Sequence, residues 1–355
     1  MSSNKSSATT DWINGISMPT GSNGAVRLFC FPHAGGGASG FRRWTTELRP
    51  QIEVYPIVLP GREGRWLEPP ITRMFELLEA LTEALGRLLQ PPYAFFGHSM
   101  GAFIAFELAR QLRRENQPAP AMLIVSAARA PQIPDPDPPL HTQPTDLLLE
   151  ELKRFDGITQ ELLNQPELIS LMMPALRADL TLSETYQYLD EPPLESPISV
   201  YGAEHDGRVQ LEHLKRWEMQ TSRSFQLRIF PGNHFYFIRE AQFAVMEAVR
   251  EDLRRYSAVV REQETAPPLQ LEQKIARVWS ELLQVPQIGI DDNFFDLGGN
   301  SLLMVQAYGK LSETSITRLS VLDLFRYPTV RMLADAIGGK STGIAQLAGN
   351  VVGES

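Results

Sequence analysis

The chain has 355 residues, 43% hydrophobic and 21% charged, with a net charge of −9 at pH 7. That is the composition of an ordinary globular protein, long enough for one large domain and one small one. No apolar run approaches the roughly 20 residues that span a bilayer, and the acidic balance lacks the clustered Lys and Arg that phosphate binding needs. Neither a membrane nor a nucleic acid is therefore an expected partner. The single cysteine, Cys30, excludes an internal disulfide and fits a reducing compartment. The polar start, Met1 to Asp11, carries no apolar core of a secretory signal, so a cytoplasmic location is expected.

In chain order, residues 1–23 read as a disordered N-terminus. From 24 to 256 strand and helix signals alternate. Apolar runs at Val26–Phe31, Val54–Leu59, Tyr93–Phe96, Met122–Ser126, Ile198–Tyr201 and Phe225–Phe230 have strand character, and most are separated by helical spacing, as at Met74, Leu77, Leu78, Leu81, Leu85 and Leu88. This alternation predicts an α/β domain with a mostly parallel sheet covered by helices on both faces. The interval of about 131–196 breaks the rhythm. It opens with five prolines between Pro131 and Pro139 and then has helical segments only, which predicts a helical lid over the C-terminal edge of the sheet. Residues 257–267 are polar and end in Pro-Pro, the pattern of a linker. Beyond them, 268–338 reads as a small all-α domain. Leu271, Ile275, Val278, Trp279, Leu282 and Leu283 share one helix face, a second helix starts near Ser301, a third piece runs through Leu322 and Phe325, and Pro328 opens the last. Residues 339–355 form a Gly/Ser-rich flexible tail.

The run Tyr93-Ala-Phe-Phe-Gly97-His98-Ser99-Met100-Gly101 contains G-x-S-x-G. Alone the pattern is common, but here a strand enters it and an apolar helix leaves it, as a nucleophile elbow of the α/β-hydrolase fold requires. A neutral serine needs a base within hydrogen-bond reach and a third group to orient that base. The chain order Ser, acid, His points to Asp206, in the loop after Ile198–Tyr201, and to His234, in the loop after Phe225–Phe230. Glu204, nearer its strand, is the alternative acid. His98 reads as structural, His205 as a loop residue, and His141 and His213 as solvated. An oxyanion hole is expected from the backbone N–H of Met100 and that of Ala34, in the glycine-rich loop Phe31-Pro-His33-Ala34-Gly-Gly-Gly37. No G-K-[ST] follows those glycines, which argues against a phosphate loop, and no metal-ligand spacing is present.

Together Phe31-Pro-His-Ala-Gly-Gly, Leu59-Pro-Gly-Arg62, Gly97-His-Ser-Met-Gly, Pro174-Ala-Leu-Arg-Ala-Asp179, the Asp206 loop and Gly232-Asn-His-Phe resemble the type II thioesterases of nonribosomal peptide and polyketide assembly lines, over nearly all of 24–255. The resemblance implies Ser99 as nucleophile, Asp206 as acid and His234 as base. Asn233 departs from the glycine usual before the histidine. Residues 268–338, with Asp291-Asp-Asn-Phe-Phe-Asp-Leu-Gly-Gly-Asn300-Ser301-Leu, resemble a peptidyl carrier domain. That implies covalent 4′-phosphopantetheine on Ser301, delivered by a separate phosphopantetheinyl transferase. Asn300 stands where Asp or His is commoner, and a plain helix cap is the bland alternative for Ser301.

The expected function is hydrolysis of acyl or aminoacyl groups from carrier-bound thioesters, with carrier domains of the synthases and small acyl or aminoacyl substrates as partners. An acyltransferase that replaces water by another acceptor is the alternative within enzymes. A non-catalytic delivery protein is the alternative outside them. The carrier follows the thioesterase, the reverse of the order in chain-terminating enzymes.

Overall fold

A computed structural model describes residues 12–13, 25–264, 268–313 and 320–337 of the protein. The remainder of the expected disordered N-terminus and the tail 339–355 lie outside the described residues. The chain divides into two compact units, Met1–Tyr256 and Ser257–Ser355.

The first unit is built on β1 (Val26–Phe31), β2 (Ile52–Pro56), β3 (Tyr93–His98), β4 (Leu123–Ser126), β5 (Ile198–Ala203) and β6 (Phe225–Phe230). All pairs are parallel and the order is β2-β1-β3-β4-β5-β6. Between the strands run α1 (Trp44–Glu47), α2 (Met74–Leu85), α3 (Met100–Arg114), α4 (Thr145–Arg154), α5 (Gln160–Leu163), α6 (Pro166–Glu184) and α7 (Leu211–Lys215), and α8 (Gln242–Glu264) follows β6. The inner strands are mostly apolar because both faces are covered, whereas the edge strand β6 carries Gln226 and Arg228 and is largely half-buried. Successive side chains point to opposite faces: Phe29, Phe31 and Phe95 pack with α2 and α3, whereas Leu28, Cys30 and Phe96 pack with Trp44 and the α8 residues Val245, Met246 and Val249.

Several local readings change. The second strand ends at Pro56, not at Leu59. Ile57–Leu59 is buried but leaves the ladder, Ile57 pairing antiparallel with Ile13 and the Val58 N–H donating to the Trp12 carbonyl at 2.9 Å. Trp12 and Ile13, inside the stretch read as disordered, are accordingly buried. Most of the linker is helical as well, since α8 continues to Glu264. Its residues include the helix formers Ala, Arg, Glu and Gln.

The expected lid lies between β4 and β5 and carries α4, α5 and α6. Leu140, Leu148, Leu176 and Leu180 form its own apolar cluster, against which Ala34 packs. Pro166 opens α6, where a missing N–H is harmless, and Pro174 lies within it.

Sheet order sets where chemistry can occur. The chain runs from β1 outward to β2, then returns to place β3 on the other side of β1. Loops leaving β1 and β3 therefore part at a topological switch point, where a crevice opens at the carboxyl ends of the strands. Phe31 sits opposite Gly97 in that register.

The second unit has α9 (Pro268–Leu283), α10 (Ser301–Glu313), α11 (Val321–Arg326) and α12 (Val330–Ile337) around a core that includes Ile275, Trp279, Phe294, Met304, Leu324 and Leu333. Pro328 does not open the last helix. Its carbonyl accepts from the Phe294 N–H at 2.8 Å, and Thr329 caps instead, its Oγ1 accepting from the Met332 N–H at 3.2 Å.

Candidate active site

The elbow is formed as its glycines demand. Ser99 has φ 55° and ψ −118°, a conformation rare for a residue with a side chain and held only where its surroundings over-determine it. A Cβ on Gly97 would lie 2.1 Å from the Gly101 carbonyl oxygen, and one on Gly101 2.2 Å from that of Phe31. Only glycine lets β3, the turn and α3 approach so closely.

His234 and Asp206 reach Ser99 from the loops after β6 and β5. The two loops are laced together, the Glu204 N–H donating to the Phe230 carbonyl at 2.9 Å and the His205 N–H to that of Gly232 at 3.0 Å. His234 Nε2 is 3.1 Å from Ser99 Oγ, and its Nδ1 is 2.9 Å from Asp206 Oδ2. The other Asp206 oxygen accepts from the N–H groups of Arg208 and Val209 at 2.9 and 3.2 Å, so this carboxylate is held from both sides. Glu204 is exposed, and the carboxylate that meets His234 is that of Asp206. Asn233 accepts from the Phe235 N–H at 3.0 Å and donates to Asp156 at 2.7 Å. The unexpected residue thus closes its own turn and reaches the lid segment.

A cavity of about 60 Å³ adjoins Ser99 and His234, lined also by Ala34, Met100, Arg129 and Arg208. Met100 opens α3, where the first N–H groups lack intrahelical partners and the helix dipole favours negative charge. Ala34 borders the same space.

The remaining histidines divide. His98 is fully buried, its Nδ1 2.8 Å from Ser126 Oγ and its ring stacked on Phe237 at 4.1 Å. Burial, with His234 beside it, holds its pKa well below the usual histidine value, so it stays neutral and structural. The His33 ring packs against Phe235 and His98, and desolvation lowers its pKa to about 3. His205 is exposed, as read. His141 and His213 are half-buried rather than solvated. Glu184, on the lid helix, accepts from the His141 backbone N–H and lies 2.6 Å from its Nδ1, a partnership 43 residues apart that no local pattern announces.

In the second unit Ser301 is exposed and is the first residue of α10. The helix is capped by Asn300, whose Oδ1 accepts from the Leu303 N–H at 3.0 Å. The serine hydroxyl is therefore spared the capping role. Gly298 has φ +95° with open space around it, whereas a Cβ on Gly299 would meet the Phe294 ring at 2.3 Å. The first glycine serves the turn and the second serves packing.

Among the described residues no His/Cys/Asp/Glu cluster could hold a metal ion, and no helix is long and apolar enough to cross a membrane.

Both parts of the chain match known proteins. The family described as Thioesterase domain matches residues 26–253, and the family described as Phosphopantetheine attachment site matches residues 273–337. The chain is 40% identical over 229 residues, 64% of its length and 89% of the relative's, to the gramicidin S biosynthesis protein GrsT of Aneurinibacillus migulanus. Among solved structures, RedJ, a thioesterase from the prodiginine biosynthetic pathway in Streptomyces coelicolor, is 36% identical with a TM-score of 0.61, covering 64% of this chain and 85% of that one. The type II thioesterase BorB from the borrelidin biosynthetic cluster is 34% identical with a TM-score of 0.60, covering 66% and 93%. The chain belongs to the thioesterase domain family, serine hydrolases that act on thioesters, and joins that domain to a carrier domain that bears covalent 4′-phosphopantetheine on a serine.

Proposed function

We propose that Ser99, His234 and Asp206 are the catalytic triad of a type II thioesterase that releases small acyl or aminoacyl groups as free acids during nonribosomal peptide or polyketide synthesis. The observation that carries this reading is the continuous line from Asp206 through both nitrogens of His234 to Ser99, at 2.9 and 3.1 Å. GrsT and BorB, named for such pathways, support the setting. The lone buried cysteine suits the cytoplasm.

In this mechanism His234 Nε2 accepts the Ser99 proton as Oγ attacks the thioester carbonyl. Negative charge on the carbonyl oxygen is met by the N–H groups of Met100 and Ala34. Collapse expels the thiolate, which takes the proton from His234 and leaves an acyl-serine. Water then gives a proton to His234, hydroxide adds to the acyl carbon, and the acid departs as Ser99 recovers its proton. Asp206 holds Nδ1–H toward itself, so Nε2 faces the serine as an acceptor.

Ser301 is the proposed attachment residue. Its exposed hydroxyl and the free N–H groups of the first turn of α10 fit a phosphodiester. When bound, the phosphopantetheine arm supplies a flexible thiol on which an acyl group rides as a thioester. A phosphopantetheinyl transferase and synthase carrier domains are the partners this implies.

Intact-mass spectrometry tests the reading. After transferase treatment and loading with an acyl group, the wild type should lose the group as free acid. Ser99→Ala should retain it, its turnover falling by about 10⁶. Release by Ser99→Ala at the wild-type rate would refute the triad. Release only when an amine or alcohol is added would mark an acyltransferase.

A further inference from the structure

Two of the sequence motifs, Leu59-Pro-Gly-Arg62 and Pro174-Ala-Leu-Arg-Ala-Asp179, have no part in the triad, yet the fold brings them to one point. Arg62 and Asp179, 117 residues apart, form a two-pronged ion pair at 2.5 and 2.7 Å. Their side chains are 9% and 2% exposed. An arginine fork on a carboxylate fixes orientation as well as distance, and burial keeps solvent from loosening it.

Both partners have a second hold, on the loop that contains Ala34. Asp179 Oδ2 accepts from the Gly35 N–H at 2.7 Å, and Arg62 Nη1 donates to the Gly36 carbonyl at 3.0 Å. The Gly36 N–H donates to the His33 carbonyl at 2.9 Å. Next along the chain, Glu63 accepts from the N–H groups of Ala38 and Ser39 at 3.1 and 3.0 Å. The peptide planes on either side of the Gly35–Gly36 bond, Ala34–Gly35 and Gly36–Gly37, are thus fixed by a side chain from α6 and one from the β2 loop. With Gly35 committed to Asp179, Ala34 is the loop residue left to border the cavity beside Ser99.

We propose that the Arg62–Asp179 pair is a positioning device for the reaction: it sets the Ala34 N–H against the carbonyl oxygen and makes seating of the lid helix α6 a condition for a complete oxyanion hole. Neither residue touches substrate. A lid swung away takes Asp179 with it, frees the Gly35 peptide and leaves Arg62 holding the loop from one side only. The inference rests on the proposed Ser99 chemistry.

Loss of one oxyanion donor costs about 10²–10³ in turnover, and a misplacement of about 1 Å can cost about 10². Asp179→Asn should therefore lower kcat about 100-fold with KM changed less than about threefold. Arg62→Lys keeps the charge without the fork and should recover part of the rate. The decisive readout is a trifluoromethyl ketone analogue of the substrate. Ser99 Oγ adds to its carbonyl, the proton passes to His234, and the resulting oxyanion occupies the hole. Its inhibition constant should rise by the same factor as kcat/KM falls. Asp252→Asn is the control, since Asp252 is a buried partner of Ser199 and Tyr201 at 2.6 and 2.8 Å and does not line the cavity; it should lose stability but keep its kcat. Unchanged kcat and inhibition constant in folded Asp179→Asn would overturn the proposal, as would a kcat loss with an unchanged inhibition constant. If Asp179→Asn does not fold, Arg62→Lys decides alone, and full activity there overturns it. An inert wild type, or an active Ser99→Ala, would sink the triad reading instead.

Discussion

Asp206→Asn is the sharpest probe of the triad because the surroundings dictate how the new amide must sit. Asp206 Oδ1 accepts from two backbone N–H groups, at 2.9 and 3.2 Å. An asparagine must keep its carbonyl oxygen there, since the flipped amide would set its NH₂ against two donors. The NH₂ then faces His234 Nδ1, across the 2.9 Å that the carboxylate spans. Nδ1 becomes the acceptor, the ring proton moves to Nε2, and Nε2 now presents N–H to Ser99 at 3.1 Å. A base that already carries the proton cannot take the serine's. The wrong tautomer costs about 10⁴ in kcat in other triads, about 5.4 kcal/mol at about 1.36 per tenfold, while packing and stability should change little. Thiol release from an acyl-N-acetylcysteamine thioester, followed with a thiol-reactive chromophore at neutral pH, measures it. Turnover within tenfold of wild type, or an equal loss in Glu204→Gln, would refute the argument.

Gly97→Ala puts a Cβ 2.1 Å from the Gly101 carbonyl. It should cost about 1–3 kcal/mol, lowering Tm by about 2–4 °C per kcal/mol in a domain of this size; a wild-type melting curve would contradict the close-approach account. Asn300→Ala removes the cap on Leu303 and should destabilise the carrier unit by about 1 kcal/mol. It should still accept the phosphopantetheine mass increase, which Ser301→Ala should abolish. His33, at about 3 against an ordinary 6.5, and His98, also lowered, stay neutral when folded and take protons when unfolded. The His33 contribution is complete above about pH 6.5 and is lost as pH falls toward about 3, by up to about 1.4 kcal/mol per pH unit, and His98 acts in the same direction. Urea unfolding between about pH 7 and 5 should show that slope, and His33→Phe should flatten it.

The elbow was legible in the chain because its constraints are local. Glycines at 97 and 101, a strand before them and a helix after them leave little else for Ser99 to be. Asp206 and His234 were legible because chain order and the carboxyl ends of two strands narrow the choice, although only the fold separates Asp206 from the exposed Glu204. Pairings across long separations were not legible. Arg62 with Asp179 and His141 with Glu184 depend on where the lid comes to rest, and charge spacing carries no trace of that. One helix start shifted for a further reason: Thr329 caps the last helix with its side chain, and the nearby Pro328 is the louder signal in sequence.

The short N-terminal contact bears on how the domain can be trimmed. Trp12 and Ile13 lie along the outermost strand's continuation, Ile13 bridging to Ile57 and the Trp12 carbonyl accepting from Val58, while the Arg65 guanidinium rests 3.9 Å from the Trp12 ring centre. They act as a selvedge on the cloth of the sheet. A version of the enzyme begun at Val26, where the first strand starts, would keep Ser99, Asp206 and His234 yet bare Ile57 and an unpaired backbone edge, an invitation for two copies to zip together.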